Sequence, residues 1–214
     1  LQQAFRMDSM SKPLHAGRAA EAGVTAALAA REGVTGSLDV MQGFGAAMSD
    51  NPDWEKAFAG LGREFNITRM TFKNHACCGH TFAAIDGALA LQEKMKVAAA
   101  GIGRLRVGTY RAGVEVAHYD NPRTPAEGRF SLKYVVATAL THGSVRLAAF
   151  SPERLNDQGT KALMRNTAVA LDPELEAAFP AKRAARVAIR ANGRREELLQ
   201  PTRIGDPDAP LSDR

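Results

Sequence analysis

The sequence predicts an α+β fold: an all-helical segment over residues 1–62, then an α+β domain with an antiparallel sheet over residues 63–203. Three observations lead there. Up to about Leu61 the chain reads as a succession of helices, an all-helical segment. Beyond Gly62, strand-like runs and helical runs mix without the regular alternation of a parallel α/β fold. Late in the chain, Ala191-Asn192-Gly193 separates two extended runs, and Asn-Gly is a strong short signal for a hairpin turn.

Taken in order, residues 1 to about 33 read as helical, with Ser11 as a cap and Pro13 in a first-turn position. Small residues occupy nearly every face from His15 onward, and Gly17 and Gly23 each cost about 1 kcal/mol relative to Ala. A helix of that kind belongs inside a bundle. Gly33 suits its C-cap. Helices follow around Ser37–Met48 and Pro52–Leu61, the latter capped by Asn51. Phe65–Phe72 is strand-like, though its alternation is imperfect. A helix begins after His80 and runs to Leu91; Ile102–Tyr110 is a strand with Leu105 and Val107 on one face; Ser131–Thr141 is a helix. Short helices are expected at Pro152–Leu155, Lys161–Arg165 and Pro173–Phe179, and the hairpin strands at Ala185–Arg190 and Arg194–Leu199. The Pro/Asp-rich tail from Pro201 reads as a linker.

With 45% hydrophobic and 24% charged residues, the chain can bury a core and does not read as disordered. A net charge of +5 and a pI near 9.5 invite a nucleic-acid reading. That reading needs a concentrated basic face with aromatics for stacking. Here the basic residues are scattered, and the densest run, Lys182-Arg183-Ala184-Ala185-Arg186, carries no aromatic. A basic surface that attracts small anions is the preferred alternative, with no nucleic acid as partner. No run approaches ~18 apolar residues, so no membrane partner is expected. The first residues have no leader architecture, and two adjacent cysteines make no disulfide framework. A cytoplasmic location is the expectation.

The chemistry-bearing residues gather in two clusters. Lys73-Asn74-His75-Ala76-Cys77-Cys78-Gly79-His80 leads straight into a helix, and Ser11-Lys12-Pro13-Leu14-His15 opens another. Lysines and histidines at helix starts suit a small polyanion, because free backbone N–H groups and the helix dipole favour negative charge there. Four N/S donors raise the question of zinc. Closed zinc sites use two well-separated pairs of ligands, whereas these crowd into one loop, so no metal is expected. Cys77 and Cys78 are read as small packing residues rather than nucleophiles. No phosphate loop, Ser-His-Asp order or Fe–S cysteine set is present, and no cofactor is expected. His80 is the better candidate for chemistry, since a helix start favours a neutral imidazole.

Lys12-Pro13-Leu14-His15-Ala16-Gly17, then Lys-x-His-x-Cys-Cys-x-His from Lys73, then Arg129-Phe130-Ser131-Leu132-Lys133-Tyr134, together resemble the MmgE/PrpD family. That family includes 2-methylcitrate dehydratase, cis-aconitate decarboxylase and iminodisuccinate epimerase. The resemblance implies a large helical domain, an inserted α+β lid and a return to the helical domain. This chain then resembles a middle fragment: residues 1–62 the end of the first helical part, 63–203 the lid, and 204–214 a linker back to helices the chain lacks.

The implied activity is a lyase acting beside a carboxylate, foremost dehydration of a 2-methylcitrate-like acid, with decarboxylation or epimerisation of a small di- or tricarboxylate as alternatives. A non-catalytic lid-and-interface module is a further one. Removing a proton next to an ionised carboxylate requires cations around the carboxylates and a base that works near neutrality. By resemblance, Lys12 and Lys73 fall on site lysines. His80 or a histidine outside this chain transfers the proton. His15 stands either as a supporting group or as a core residue. His75, His118 and Arg129 complete the expected substrate contacts, with Arg129 replacing the family's usual lysine. The family's usual assembly implies a homodimer.

Overall fold

The computed structural model describes residues 11–212, in two compact units that divide at Arg69/Met70. The first unit is helical. Helix α1 spans Ser11–Arg31, α2 Val40–Met48 and α3 Trp54–Phe58. Residues 1–10 of the expected first helix lie outside the described residues. None of α1 is buried, and Leu14, Val24 and Leu28 stand open on it. What little core this unit has forms where Trp54 packs on Gly45, so closely that any side chain at Gly45 would collide with the indole. The cap of α3 is Asp53, whose Oδ1 accepts from Lys56 N at 2.9 Å, and not Asn51 as the sequence reading had it. Asn51 lies too far upstream to reach the first free amides of a helix that starts at Trp54.

The strand expected at Phe65–Phe72 is absent. Asn66–Arg69 instead forms a 3₁₀ turn in which Thr68 Oγ1 donates to Phe65 O. A local side-chain bond of this kind competes with extended backbone, and the segment has no neighbouring strand to satisfy its ladder groups.

The second unit holds a four-stranded mixed sheet with helices packed on one face. Its elements are α4 (Phe82–Met95), β1 (Ile102–Thr109), α5 (Arg111–Val116), α6 (Pro125–Arg129), α7 (Leu132–His142), α8 (Pro152–Leu155), α9 (Gln158–Arg165), β2 (Thr167–Leu171), α10 (Pro173–Ala178), β3 (Ala185–Ala191) and β4 (Arg194–Gln200). The strand order is β2-β1-β3-β4. The β1–β3 and β3–β4 pairs are antiparallel, as expected for the domain; β2, unforeseen in the sequence, adds a parallel edge with Leu105 opposite Thr167. Parallel pairing requires a long crossover, and the chain from α5 to α9 supplies it.

The core lies between the helices and one sheet face. Leu105 and Val107 of β1, Val187 and Ile189 of β3, Phe82 and Ile85 of α4, and Val135 and Val136 of α7 are fully buried there. Each contributes about 1.5–3 kcal/mol by leaving water. Alternation sends Arg104 and Arg106 to the opposite, exposed face. The β3–β4 turn is the predicted one: Asn192 and Gly193 both take positive φ (52° and 75°), which the tight hairpin turn demands. Ser131 caps α7 through Tyr134 N, while Tyr134 OH donates to Ala149 O.

Candidate active site

The loop 73–81 enters α4 from the end of the sheet where β1 finishes, and backbone bonds hold it there. Ala76 N donates to Val145 O at 2.9 Å, and Cys78 N to Arg129 O at 3.0 Å. A short 3₁₀ turn, Gly79–Thr81, then feeds α4. The second contact joins the histidine/cysteine loop to the Arg129 segment, two motifs some fifty residues apart that the sequence singled out separately. Tyr119 N donates to Phe130 O, which brings the His118 segment alongside.

Within the loop, each polar side chain has a different assignment. His75 is buried; its Nε2 lies 2.8 Å from Asp86 Oδ1, and its ring meets Phe82 edge-on at 5.1 Å. Asp86 Oδ2 in turn accepts from Ile204 N at 2.9 Å. The pair therefore ties the loop, α4 and the tail together. Cys77 is also buried, within 3.2 Å of Thr81 Oγ1, and burial pushes its thiol up to about 12. A thiol so far from ionisation is a packing group rather than a nucleophile. Lys73 is exposed, yet its charge still acts on the Cys77 thiol, which places it beside the loop it precedes.

His80 is half-buried, and its Nδ1 lies 2.9 Å from the hydroxyl of Tyr110. Tyr110, the residue immediately after β1, is 1% exposed and stacks on Phe179 at 4.4 Å. Burial pushes its phenol up to about 12, against the pull of the Arg183 and Arg203 guanidinium charges nearby. Arg203 sits between the tail and the loop. Its Nη2 donates to Thr71 Oγ1 at 3.1 Å and to Asp206 Oδ1 at 2.6 Å, and its Nη1 points at Gly79 O. Burial works to raise the Asp206 carboxyl, but hydrogen bonds from Arg203 and Thr71 outweigh it and hold the group below the usual carboxylate range. The tail is fixed again where Phe72 N donates to Gly205 O at 2.8 Å. Gly205 has φ +104°, and a Cβ there would sit 2.2 Å from Phe72 O, so only glycine fits.

The structure thus gathers His80, His75 and Lys73 in one loop, with Arg129 held to it through the backbone. The Arg129 guanidinium lies over the Phe150 ring at 5.1 Å. His118 is exposed, stacked on Tyr119, with its Nδ1 donating to Glu115 O. Lys12 and His15 belong to α1 in the other unit; His15 is exposed there, and Lys12 stands in the first turn. Tyr110, Phe179, Arg183 and Arg203 were not foreseen, because nothing local in the sequence marks them. The one local signal is that Tyr110 closes the strand pattern of Ile102–Tyr110.

Among the described residues no cluster of three or more His, Cys, Asp or Glu is placed to hold a metal ion, and no helix is long and apolar enough to cross a membrane. A separate open cleft of about 290 Å³ includes Arg106, Gly108, Asp172 and Arg186 in its lining. None of the candidates named above lines it. Arg186 is already engaged there by Asp172 at 2.9 Å and Glu174 at 2.6 Å.

Comparison with known proteins adds two findings. The MmgE/PrpD C-terminal domain model matches residues 75–214. The cis-aconitate decarboxylase-like protein oryM of Aspergillus oryzae is 27% identical over 184 residues, an alignment covering 77% of this chain and 38% of that protein. The chain therefore spans well under half the length of that curated relative.

Proposed function

This chain belongs to the MmgE/PrpD family, a family that includes lyases, and from that premise we propose that it carries part of the active site of a lyase acting on a small di- or tricarboxylate. Dehydration of a 2-methylcitrate-like hydroxy acid is the leading reaction. The observation that carries the reading is the meeting of His80 and Tyr110 at the end of the loop that Lys73 opens, with Arg183 and Arg203 near enough to act on the phenol. A carbanion next to a carboxylate concentrates negative charge, and fixed cations and donors around the carboxylates lower its cost most.

In this reading Lys73 binds one carboxylate, and Lys12, from the helical unit, is the proposed ligand of another. His15, His75, His118 and Arg129 remain proposed supports of that site. His80, or a histidine beyond this chain, handles the proton. No cofactor or metal enters this scheme. Residues 1–62 are proposed as part of the larger helical domain, 63–203 as the lid and 204–214 as the linker back to that domain, with the assembly a homodimer in the cytoplasm. Decarboxylation is the second reading, favoured by the name of the relative; epimerisation follows the same carbanion logic. A purely structural role as lid and interface is the alternative in kind.

The test is a panel assay of the full-length parent protein against 2-methylcitrate, citrate, cis-aconitate and iminodisuccinate, with products identified. Turnover of one of these acids supports the lyase reading, and the product decides between dehydration, decarboxylation and epimerisation. Inactivity toward all four leaves the non-catalytic reading standing instead.

A further inference from the structure

We infer that Tyr110 is a positioning residue that fixes the neutral His80 imidazole in the tautomer with its proton on Nε2, so that His80 serves as a hydrogen-bond donor rather than as the base. The inference rests on the reading of His80 as a site residue and narrows the role left open there.

The argument is one of hydrogen-bond accounting. Tyr110 is 1% exposed, so its phenol has almost no access to water. Its sole polar partner among the described residues is His80 Nδ1, at 2.9 Å. Two arrangements fit that distance. If Nδ1–H donated to the phenolic oxygen, the O–H proton would be buried without an acceptor, at a cost of about 1–3 kcal/mol. If the phenol donates to an unprotonated Nδ1, both strong groups are satisfied and only a spare lone pair goes unused. The second arrangement wins, and a phenol pushed up to about 12 does not lose the proton it must donate.

The rest of the surroundings holds this geometry rigid. Phe179 stacks on the Tyr110 ring with only 15° between the planes, and His80 meets Tyr110 at 68° with ring centroids 5.6 Å apart. The Arg183 and Arg203 charges pull the phenol's pKa down and so strengthen it as a donor, while burial outweighs them and keeps its proton on. A histidine fixed this way carries Nε2–H. Such a group suits donation to a carboxylate oxygen as charge builds on it, the manner in which a neutral imidazole polarises a carbonyl. It has no lone pair on Nε2 with which to take the substrate's proton. The base must then be another group.

The experiment is long-range ¹H–¹⁵N NMR of the chain labelled at its five histidines. It is recorded at about pH 8, above the ordinary imidazole range near 6.5. Signals are assigned to His80 by their loss in His80→Gln. The expected result is one His80 form with Nε2 protonated and Nδ1 shifted by accepting a hydrogen bond. In Tyr110→Phe, which keeps the stacked ring, Nδ1 moves toward its unbonded position. A wild-type spectrum with the proton on Nδ1 overturns the inference even if the variant does not fold. An unchanged Nδ1 in a folded Tyr110→Phe does so as well. Neither readout depends on turnover, so failure of the substrate panel and failure of this inference are separately visible.

Discussion

Replacing Asp86 with Ala removes a group that ties three parts of the second unit together, and the structure sets the size of the effect. Asp86 is 5% exposed, accepts at Oδ2 from Ile204 N, and faces His75 Nε2 through Oδ1. The variant leaves a buried imidazole N–H and a backbone N–H without acceptors. Each such orphan costs about 1–3 kcal/mol, and breaking a buried pair by deleting one partner costs ~3–5 kcal/mol in general. The two routes agree on roughly 3–5 kcal/mol, a large share of the 5–15 kcal/mol that holds a typical domain. For a unit near 150 residues each kcal/mol moves the midpoint by ~2–4 °C, so a drop of roughly 6–20 °C is expected.

Thermal melting followed by circular dichroism measures the drop, and amide exchange at Ile204 gives a local check, because that N–H should lose protection first. Asp86→Asn keeps one acceptor oxygen and should lose about half as much. A midpoint for Asp86→Ala within about 2 °C of the parent would refute the reasoning. It would mean that His75 and Ile204 find other partners at little cost.

Other outcomes follow from the same structure. Asp206 has a folded-state pKa below its ordinary value, so its stabilising contribution is present above about pH 4 and disappears as pH falls through the folded value. Asp206→Asn should therefore lower stability at neutral pH and flatten its decline in acid; equal acid sensitivity of variant and parent in denaturant titrations would show that the Arg203–Asp206 pair is idle. With a thiol near 12, Cys77 is ionised to only about one part in ten thousand at pH 8. A thiol reagent under native conditions should label Cys78 first and reach Cys77 only on unfolding, which peptide mapping checks. Leu14, Val24 and Leu28 stand exposed along one small-residue helix, so the 214-residue chain alone should associate, as light scattering would show. A well-behaved monomer would argue that α1 needs no cover.

Where the sequence was legible, a local rule with few competitors made it so. The Asn192-Gly193 pair admits almost one turn type, and Ser131 stands just before an unbroken apolar helix; both came out as expected. Strand β2 escaped notice because Thr167-Ala168-Val169-Ala170-Leu171 is short and has two alanines facing out, and because its partner lies about sixty residues earlier. Conversely, Phe65–Phe72 has the aromatic and β-branched content of a strand, but no neighbour comes to pair with it. Helix α6 could have been read: Thr124-Pro125-Ala126-Glu127 is a capping box, and both of its reciprocal bonds form.

The candidate site divides the same way. Lys73, His75 and His80 were visible because they sit in one dense loop. Tyr110 and Arg203 were not, since they reach His80 and Gly79 from 30 and 124 residues away. Arg203 also lay in a tail whose Pro/Asp composition reads as a linker. In the structure that tail is bonded to Thr71, Phe72 and Asp86. What His75 does was equally hidden, because only the fold shows that its partner is a buried carboxylate eleven residues on.

The central claim, that this loop helps hold a polycarboxylate for a lyase reaction, is tested most directly by one substitution in the active parent protein. Lys73→Ala is assayed on whichever acid of the panel the parent converts. Losing a charge-assisted contact of about 1.5–3 kcal/mol predicts kcat/KM lower by roughly ten- to a hundredfold, with melting unchanged because Lys73 is exposed. Lys73→Arg should restore part of it. A Lys73→Ala protein with the parent's kcat/KM would contradict the account, because the loop's most accessible cation would then have no part in binding substrate.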